Sequence, residues 1–380
     1  MPLRVLIVPD KFKGTLTAHA AADAIARGWH AARPDDTLDL LPMSDGGDGF
    51  GAVMDELLAA KIQTVATVDA AHRPVRARWW LAGRTAIIES AQVIGLANHR
   101  GIHPFKLDTF GLGAVLRAAQ RKGAIRCLMG IGGSATNDAG FGLARALGWQ
   151  FLDADDKPIT AWTQLHRLAR LHPPRQRKWF KEFIVAVDVQ NPLLGPRGCT
   201  RIYGPQKGLT QKDFGRAELC LRRLATVAAR QLHRDCAAEP GVGAAGGLGF
   251  GLNGFLGARL EPGFDLLAQH AQLDRRLRRA DVVITGEGAI DRSTFMGKGV
   301  GRIVRECRRL KIPCLGFAGI IKSRDGAAKY FKEQYALTEL TTPKNAKRNP
   351  TLWLERLARH VAKRPGVRQS SGAFSHKSAS

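Results

Sequence analysis

Long apolar runs are missing from this chain. The longest early one, Leu3 to Val8, is too short for a secretory hydrophobic region and far below the ~20 residues that cross a bilayer. Neither export nor a membrane partner is expected, and the predicted location is cytoplasmic. The six cysteines, at 127, 199, 220, 236, 307 and 314, form no Cys-x-x-Cys and no paired histidine spacing, which argues against a zinc site or a disulfide framework. No G-x-x-x-x-G-K-[ST] occurs, which excludes a P-loop NTPase, and no serine sits in a G-x-S-x-G elbow. Internal repeats are absent as well. Acidic residues are scarce: 33 against 58 Lys plus Arg leave a formal net charge of +25, which points to anionic partners without choosing among them.

What is present describes a folded α/β protein. The 380 residues suffice for about two domains, and 44% hydrophobic with 24% charged residues is ordinary globular composition. Leu3 to Val8 reads as a buried parallel strand ending at Pro9-Asp10, followed by an amphipathic helix from Thr17 to His30 and a second strand from Thr37 to Met43. A helix is predicted over 50–61. Alternating segments over 64–89 then break the β-α rhythm and suggest a domain change. Further strands are predicted at 125–131, 183–187, 281–285 and 313–317, with helices near 107–122, 138–147 and 213–232. The glycine-rich stretch 241–257 fits G-x-G-x-x-G at Gly241 to Gly246, but Glu239-Pro240 precedes it where a dinucleotide fold needs a strand. Its Gly246-Gly247 pair would instead let the backbone approach a ligand or helix closely. A basic helix at 351–363 and a disordered tail close the chain.

Five loops at predicted strand ends combine Gly with Asp, Glu or Lys: 9–14, 45–49, 130–138, 188–192 and 285–291. Ligands of open parallel sheets sit outside such strand ends. The combination suits phosphoryl transfer, which needs N–H groups and lysines for phosphate oxygens, carboxylates for Mg²⁺, and one carboxylate to take a hydroxyl proton.

At these loops the sequence resembles the bacterial glycerate kinase family of the two-domain type. The matching stretches are PDKFKGTLTA (9–18), DGGDG (45–49), GIGGSATNDAG (130–140), VDVQNPL (187–193), GPQKG (204–208), GAAGGLG (243–249), and TGEGAID with GKG (285–299). The resemblance implies ATP- and Mg²⁺-dependent phosphorylation of D-glycerate, with 2-phosphoglycerate favoured over 3-phosphoglycerate. It also implies two α/β domains, one Rossmann/flavodoxin-like with the second inserted, and an active site in the cleft between them. Expected borders are 1–65 with 275–345, 66–274, and 346–380. Catalytic candidates are Asp10, Lys13, Asp45, Asp188 and Lys207, with Asp45 and Asp188 the candidate metal ligands and the base left open among the three aspartates. Substrate or nucleotide contacts are expected from Gly46, Gly47, Asp48, Gly132, Gly133, Ser134, Thr136, Asn137, Asp138, Asn191, Glu287, Asp291 and Lys298.

The chain departs from the family pattern at Lys11, Asp48, Ala139 and Gln190, and most consequentially at Ala289, where relatives carry Arg, and at Ser293-Thr294. The alternatives are a kinase of another small hydroxy acid, a degenerate nucleotide-binding member, or a nucleic-acid-binding member. Nucleic acid is the disfavoured partner, because the strand-end carboxylates repel a phosphate backbone. A homodimer is a further expectation.

Overall fold

The computed structural model describes residues 1–12, 14–44, 46–47, 49–295, 299–322 and 331–364, with backbone alone at 293. In chain order its strands are β1 (Arg4–Ile7), β2 (Thr37–Leu40), β3 (Lys61–Val68), β4 (Pro74–Ala82), β5 (Thr85–Glu89), β6 (Arg126–Gly130), β7 (Gln150–Leu152), β8 (Arg170–His172), β9 (Glu182–Ala186), β10 (Arg259–Glu261), β11 (Val282–Ile290), β12 (Cys314–Ile321) and β13 (Glu333–Ala336). The chain divides into two compact units: Met1–Ser44 with the chain from Leu267 onward, and the intervening Asp45–Leu266. No described helix is long and apolar enough to cross a membrane.

The first unit carries a five-stranded parallel sheet in the order β13-β12-β11-β1-β2. Counted along the unit this is the flavodoxin-like order 2-1-3-4-5, whose topological switch point lies between β1 and β11. The helix Ala18–His30 packs on it, capped by Thr17, whose hydroxyl accepts from the Ala20 N–H at 3.1 Å. Its Ala21, Ile25 and Trp29 are buried against Leu354, Leu357 and Val361 of the C-terminal helix Pro350–Ala362. That basic helix is therefore part of a hydrophobic core. The tail expectation, at 365–380, lies outside the described residues.

The second unit holds a six-stranded mixed sheet, β10-β9-β6-β5-β4-β3. Strands β5, β6, β9 and β10 run parallel, while β3, β4 and β5 form an antiparallel meander, as the alternation over 64–89 suggests. A two-stranded ribbon of β7 and β8 lies beside it. The helix Phe50–Leu58 belongs to this unit because Phe50 and Met54 bury against Trp80, Ile87, Leu128 and Ile184. It is shorter than the sequence periodicity suggests: Ala59 turns left-handed, with φ 47°, and Lys61 already begins β3. The glycine-rich stretch forms the helix Ala244–Leu256, kinked at 245–247.

Candidate active site

In the second unit the candidate residues collect at the carboxyl ends of the parallel strands. Strand β6 ends at Gly130 and leads through residues 131–140 into the helix Phe141–Ala146. Hydrogen bonds fix this loop on several sides. The Gly132 N–H donates to the Gly46 carbonyl at 3.0 Å, the Ala135 N–H to Ile94 at 2.7 Å, and the Ala139 N–H to Gly246 at 3.0 Å. A Cβ on Gly246, where φ is +69°, would stand 2.0 Å from the Thr136 carbonyl oxygen, so glycine is required there.

Lys207 closes the arrangement from behind. It ends the helix Cys199–Lys207, is buried, and donates through Nζ to Ser134 Oγ at 3.1 Å and the Thr136 carbonyl at 2.7 Å. Burial draws its ammonium down from 10.5 to about 8, opposed by the Cys199 thiol and Asp138. Lys207 thus braces the loop and places positive charge beneath it. Ser134 Oγ donates onward to the Ala245 carbonyl at 3.0 Å. Thr136 Oγ1 and Asn137 Oδ1 are buried with no hydrogen-bond partner among the described residues, although Asn137 Nδ2 donates to Thr200 Oγ1 at 3.1 Å. Such orphaned atoms give the loop polar capacity that the described residues do not use.

Asp138 points inward. Its Oδ2 accepts from the Thr109 N–H at 2.9 Å, the Thr109 hydroxyl at 2.7 Å and the Gly142 N–H at 2.9 Å. Burial, with Asp108 adding repulsion, pushes its carboxyl up to about 6. Its visible role is to anchor the start of the helix Phe141–Ala146.

Asp188 follows β9 and is exposed, with Oδ1 accepting from the Gly263 N–H at 3.0 Å. Asn191 donates to the Arg197 carbonyl at 2.8 Å and accepts from the Tyr203 hydroxyl at 2.5 Å. Gly46 and Gly47 precede the helix Phe50–Leu58. At that helix start the sequence reading missed Glu89, the buried last residue of β5, whose carboxylate accepts from the Gly49 and Gly51 N–H groups at 3.2 and 2.9 Å. An acid closing an apolar strand was its only signal. Tyr203 was missed as well.

In the first unit Asp10 follows β1, with its N–H on the Gly286 carbonyl at 2.8 Å and its Oδ1 accepting from Lys11 N–H at 2.7 Å. Thr285 Oγ1 donates to the Val8 carbonyl at 2.8 Å and ties β1 to β11. Asp10 and Glu287 therefore stand at the switch point. Beside them a cavity of about 530 Å³ is lined by Glu287, Ala289, Asp291, Lys322, Thr338 and Lys347 among others. Asp291 pairs with Lys322 at 3.8 Å. Ala289 supplies no guanidinium to this wall, and among the described residues Lys322 and Lys347 are the cations that line the space. Lys13, Asp45, Asp48 and Lys298 lie outside the described residues.

Mg²⁺ that arrives on nucleotide phosphates needs only one or two protein carboxylates, which Asp188 can supply in part. Among the described residues no group of three or more His, Cys, Asp or Glu forms a dedicated metal cage.

The fold and these loops define an α/β class with glycine-rich polar loops at the carboxyl ends of parallel strands, the usual place for a ligand. The chain belongs to the glycerate kinase family, whose model matches residues 5–365. It is 35% identical over 375 residues to a glycerate kinase of Bacillus subtilis, spanning 95% of this chain and 97% of that one. It is 33% identical over 326 residues to the glycerate 2-kinase of Escherichia coli, spanning 83% and 85%. Its fold matches the crystal structure of a Salmonella typhimurium protein provisionally described as glycerate kinase 2, with a TM-score of 0.81, 34% identity, and coverage of 95% and 98%.

Proposed function

We propose that this enzyme phosphorylates D-glycerate from ATP and Mg²⁺ in the cytoplasm and releases 2-phosphoglycerate. The observation that carries the reading, beside family membership, is the braced loop 132–138 with the buried Lys207 ammonium behind it. Phosphoryl transfer leaves a protein little covalent chemistry to perform, so positioning and charge stabilisation dominate. The metal–nucleotide complex supplies the phosphoryl group and neutralises its oxygens when bound. The chain's own residues do the rest. The N–H groups around Gly132 and Gly133, with the unused polar capacity at Thr136 and Asn137, hold an anionic group, while Lys207 keeps the loop in one conformation. Asp188 offers a carboxylate to the metal. Asp10, half-buried at the switch point, accepts the proton of the attacking hydroxyl, and Glu287 and Asp291 orient the substrate.

A coupled assay of ATP consumption with D-glycerate tests this, with the product read by NMR. Wild type is expected to give 2-phosphoglycerate, and Asp10→Asn to lose ~10²–10⁴ in kcat. A 3-phosphoglycerate product overturns the regiochemistry. Turnover on another hydroxy acid with none on D-glycerate overturns the substrate and leaves the reaction class standing.

A further inference from the structure

The second unit has a second concave site, at the opposite ends of the same strands. A cavity of about 580 Å³ opens where β9 and β10 begin, lined by Arg177, Lys178, Lys181, Arg259, Phe183 and Phe255 together with Glu182. The candidate loops follow the carboxyl ends of β6 and β9, and five-residue β9 separates the two regions by ~17 Å at ~3.3 Å per residue. Four cations therefore face one acid in the lining. That acid, Glu182, pairs with Arg126 at 2.6 Å and with the lining's own Arg259 at 3.1 Å, and Arg259 also meets Glu261 at 3.3 Å, so the cavity's excess charge rests on Arg177, Lys178 and Lys181. Lys178 and Lys181 are exposed and make no ion pair with any described residue. Arg177 stacks its guanidinium 5.4 Å from the centre of the Trp149 ring, which holds its charge at the rim.

The surrounding sequence concentrates the same sign. Residues 175–181 contain four Lys or Arg and no Asp or Glu, a share of the +25 that catalysis leaves unexplained, whereas Lys157, Arg167 and Arg170 upstream pair with Asp155, Asp153 and Asp156. The helix Ala244–Leu256 ends at this cavity and contributes about half a negative charge, which the side chains outweigh.

We propose that this cavity binds a compact phosphorylated polyanion of metabolite size. The volume falls within the ~300–1,000 Å³ of small-molecule sites. The aromatic rings favour a small ligand over single-stranded nucleic acid: Phe180, Phe183 and Phe255 of the lining are 5%, 6% and 3% exposed, so they form a cavity floor and present no stacking platform.

The test is calorimetric titration of the full chain with inorganic pyrophosphate at about 0.15 M salt, where charges beyond ~8 Å are screened. Three proteins are compared: wild type, Lys178→Glu with Lys181→Glu, and Arg121→Glu with Lys122→Glu, which has the same net charge but reverses exposed cations elsewhere. Binding at the catalytic loops is common to all three and cancels from the comparison. The 178/181 variant is expected to weaken pyrophosphate binding at one site by about tenfold or more, with the 121/122 variant within about twofold of wild type. Turnover without added polyanion should be unchanged in both variants. Equal weakening in the two variants, or none in either, overturns the proposal. Tighter binding of citrate than of pyrophosphate overturns the phosphate assignment, and tighter binding of a short single-stranded RNA at the same lysines makes this a nucleic-acid surface instead.

Discussion

Replacing Lys207 by Met keeps the side-chain length and removes the charge. In the folded protein burial lowers this ammonium from 10.5 to about 8. At 1.36 kcal/mol per pKa unit, holding it charged costs about 3 kcal/mol below pH ~8. Its hydrogen bonds to Ser134 and Thr136 offset part of that cost, since a charged donor contributes ~1.5–3 kcal/mol net. At neutral pH the variant should therefore lie within about 1–2 kcal/mol of wild type. The sign of the pH dependence follows from the direction of the shift. Between pH ~8 and ~10.5 the unfolded chain binds the proton more tightly, so this lysine's contribution to stability rises with pH across that window. The buried Cys236 thiol, with its raised pKa, acts in the opposite direction but is common to both proteins. The assay is urea unfolding of wild type and Lys207→Met from pH ~7 to ~10. Wild type minus variant should grow by about 2.5 kcal/mol over that range. A flat difference refutes a buried, charged Lys207. In turnover the variant should lose the loop's brace, with kcat/KM falling by about tenfold or more while the fold is retained.

Three further outcomes follow from packing and backbone geometry. Gly246→Ala places a methyl 2.0 Å from the Thr136 carbonyl oxygen and demands φ +69° of alanine, so it should cost about 2–4 kcal/mol in urea unfolding and lower kcat/KM. Leu354→Ala empties a fully buried position beneath the helix Ala18–His30 and should cost about 2–5 kcal/mol, whereas a C-terminal helix without core contacts would lose almost nothing. Glu89→Gln retains one acceptor but loses the charge at the start of the helix Phe50–Leu58, and should cost about 1–2 kcal/mol with faster amide exchange at Gly49 and Gly51.

Much of the architecture is legible in the sequence because buried parallel strands are continuous apolar runs. Leu3 to Val8 and 125–131 could scarcely be anything else, and the motifs at their ends carry the family. A cap at Thr15 or Thr17 is legible for a local reason, and Thr17 takes it because its hydroxyl reaches an N–H three residues away. Other features had no local signal. The helix Phe50–Leu58 follows β1 and β2 in rhythm, yet its apolar face fits Trp80 and Ile184, which are distant in sequence. The C-terminal helix looks like a solvated basic segment until Leu354, Leu357 and Val361 meet the first helix.

The sequence by itself determined the α/β class, the order of the chemical loops and membership of the glycerate kinase family, because those depend on short-range pattern and residue identity. Tertiary structure decided the direction each polar side chain takes. Lys207 and Asp138 are legible as candidate site residues, but only the fold shows that one also braces the 132–138 loop and the other anchors a helix start. The +25 charge likewise says only that anions matter. Its concentration over 175–181 is written in the sequence, but the cavity beside it exists only because β9 and β10 lie side by side in one sheet. A pattern along the chain fixes which residues are available, while partners about 30 to 75 positions apart fix the environment that sets their charge, exposure and role.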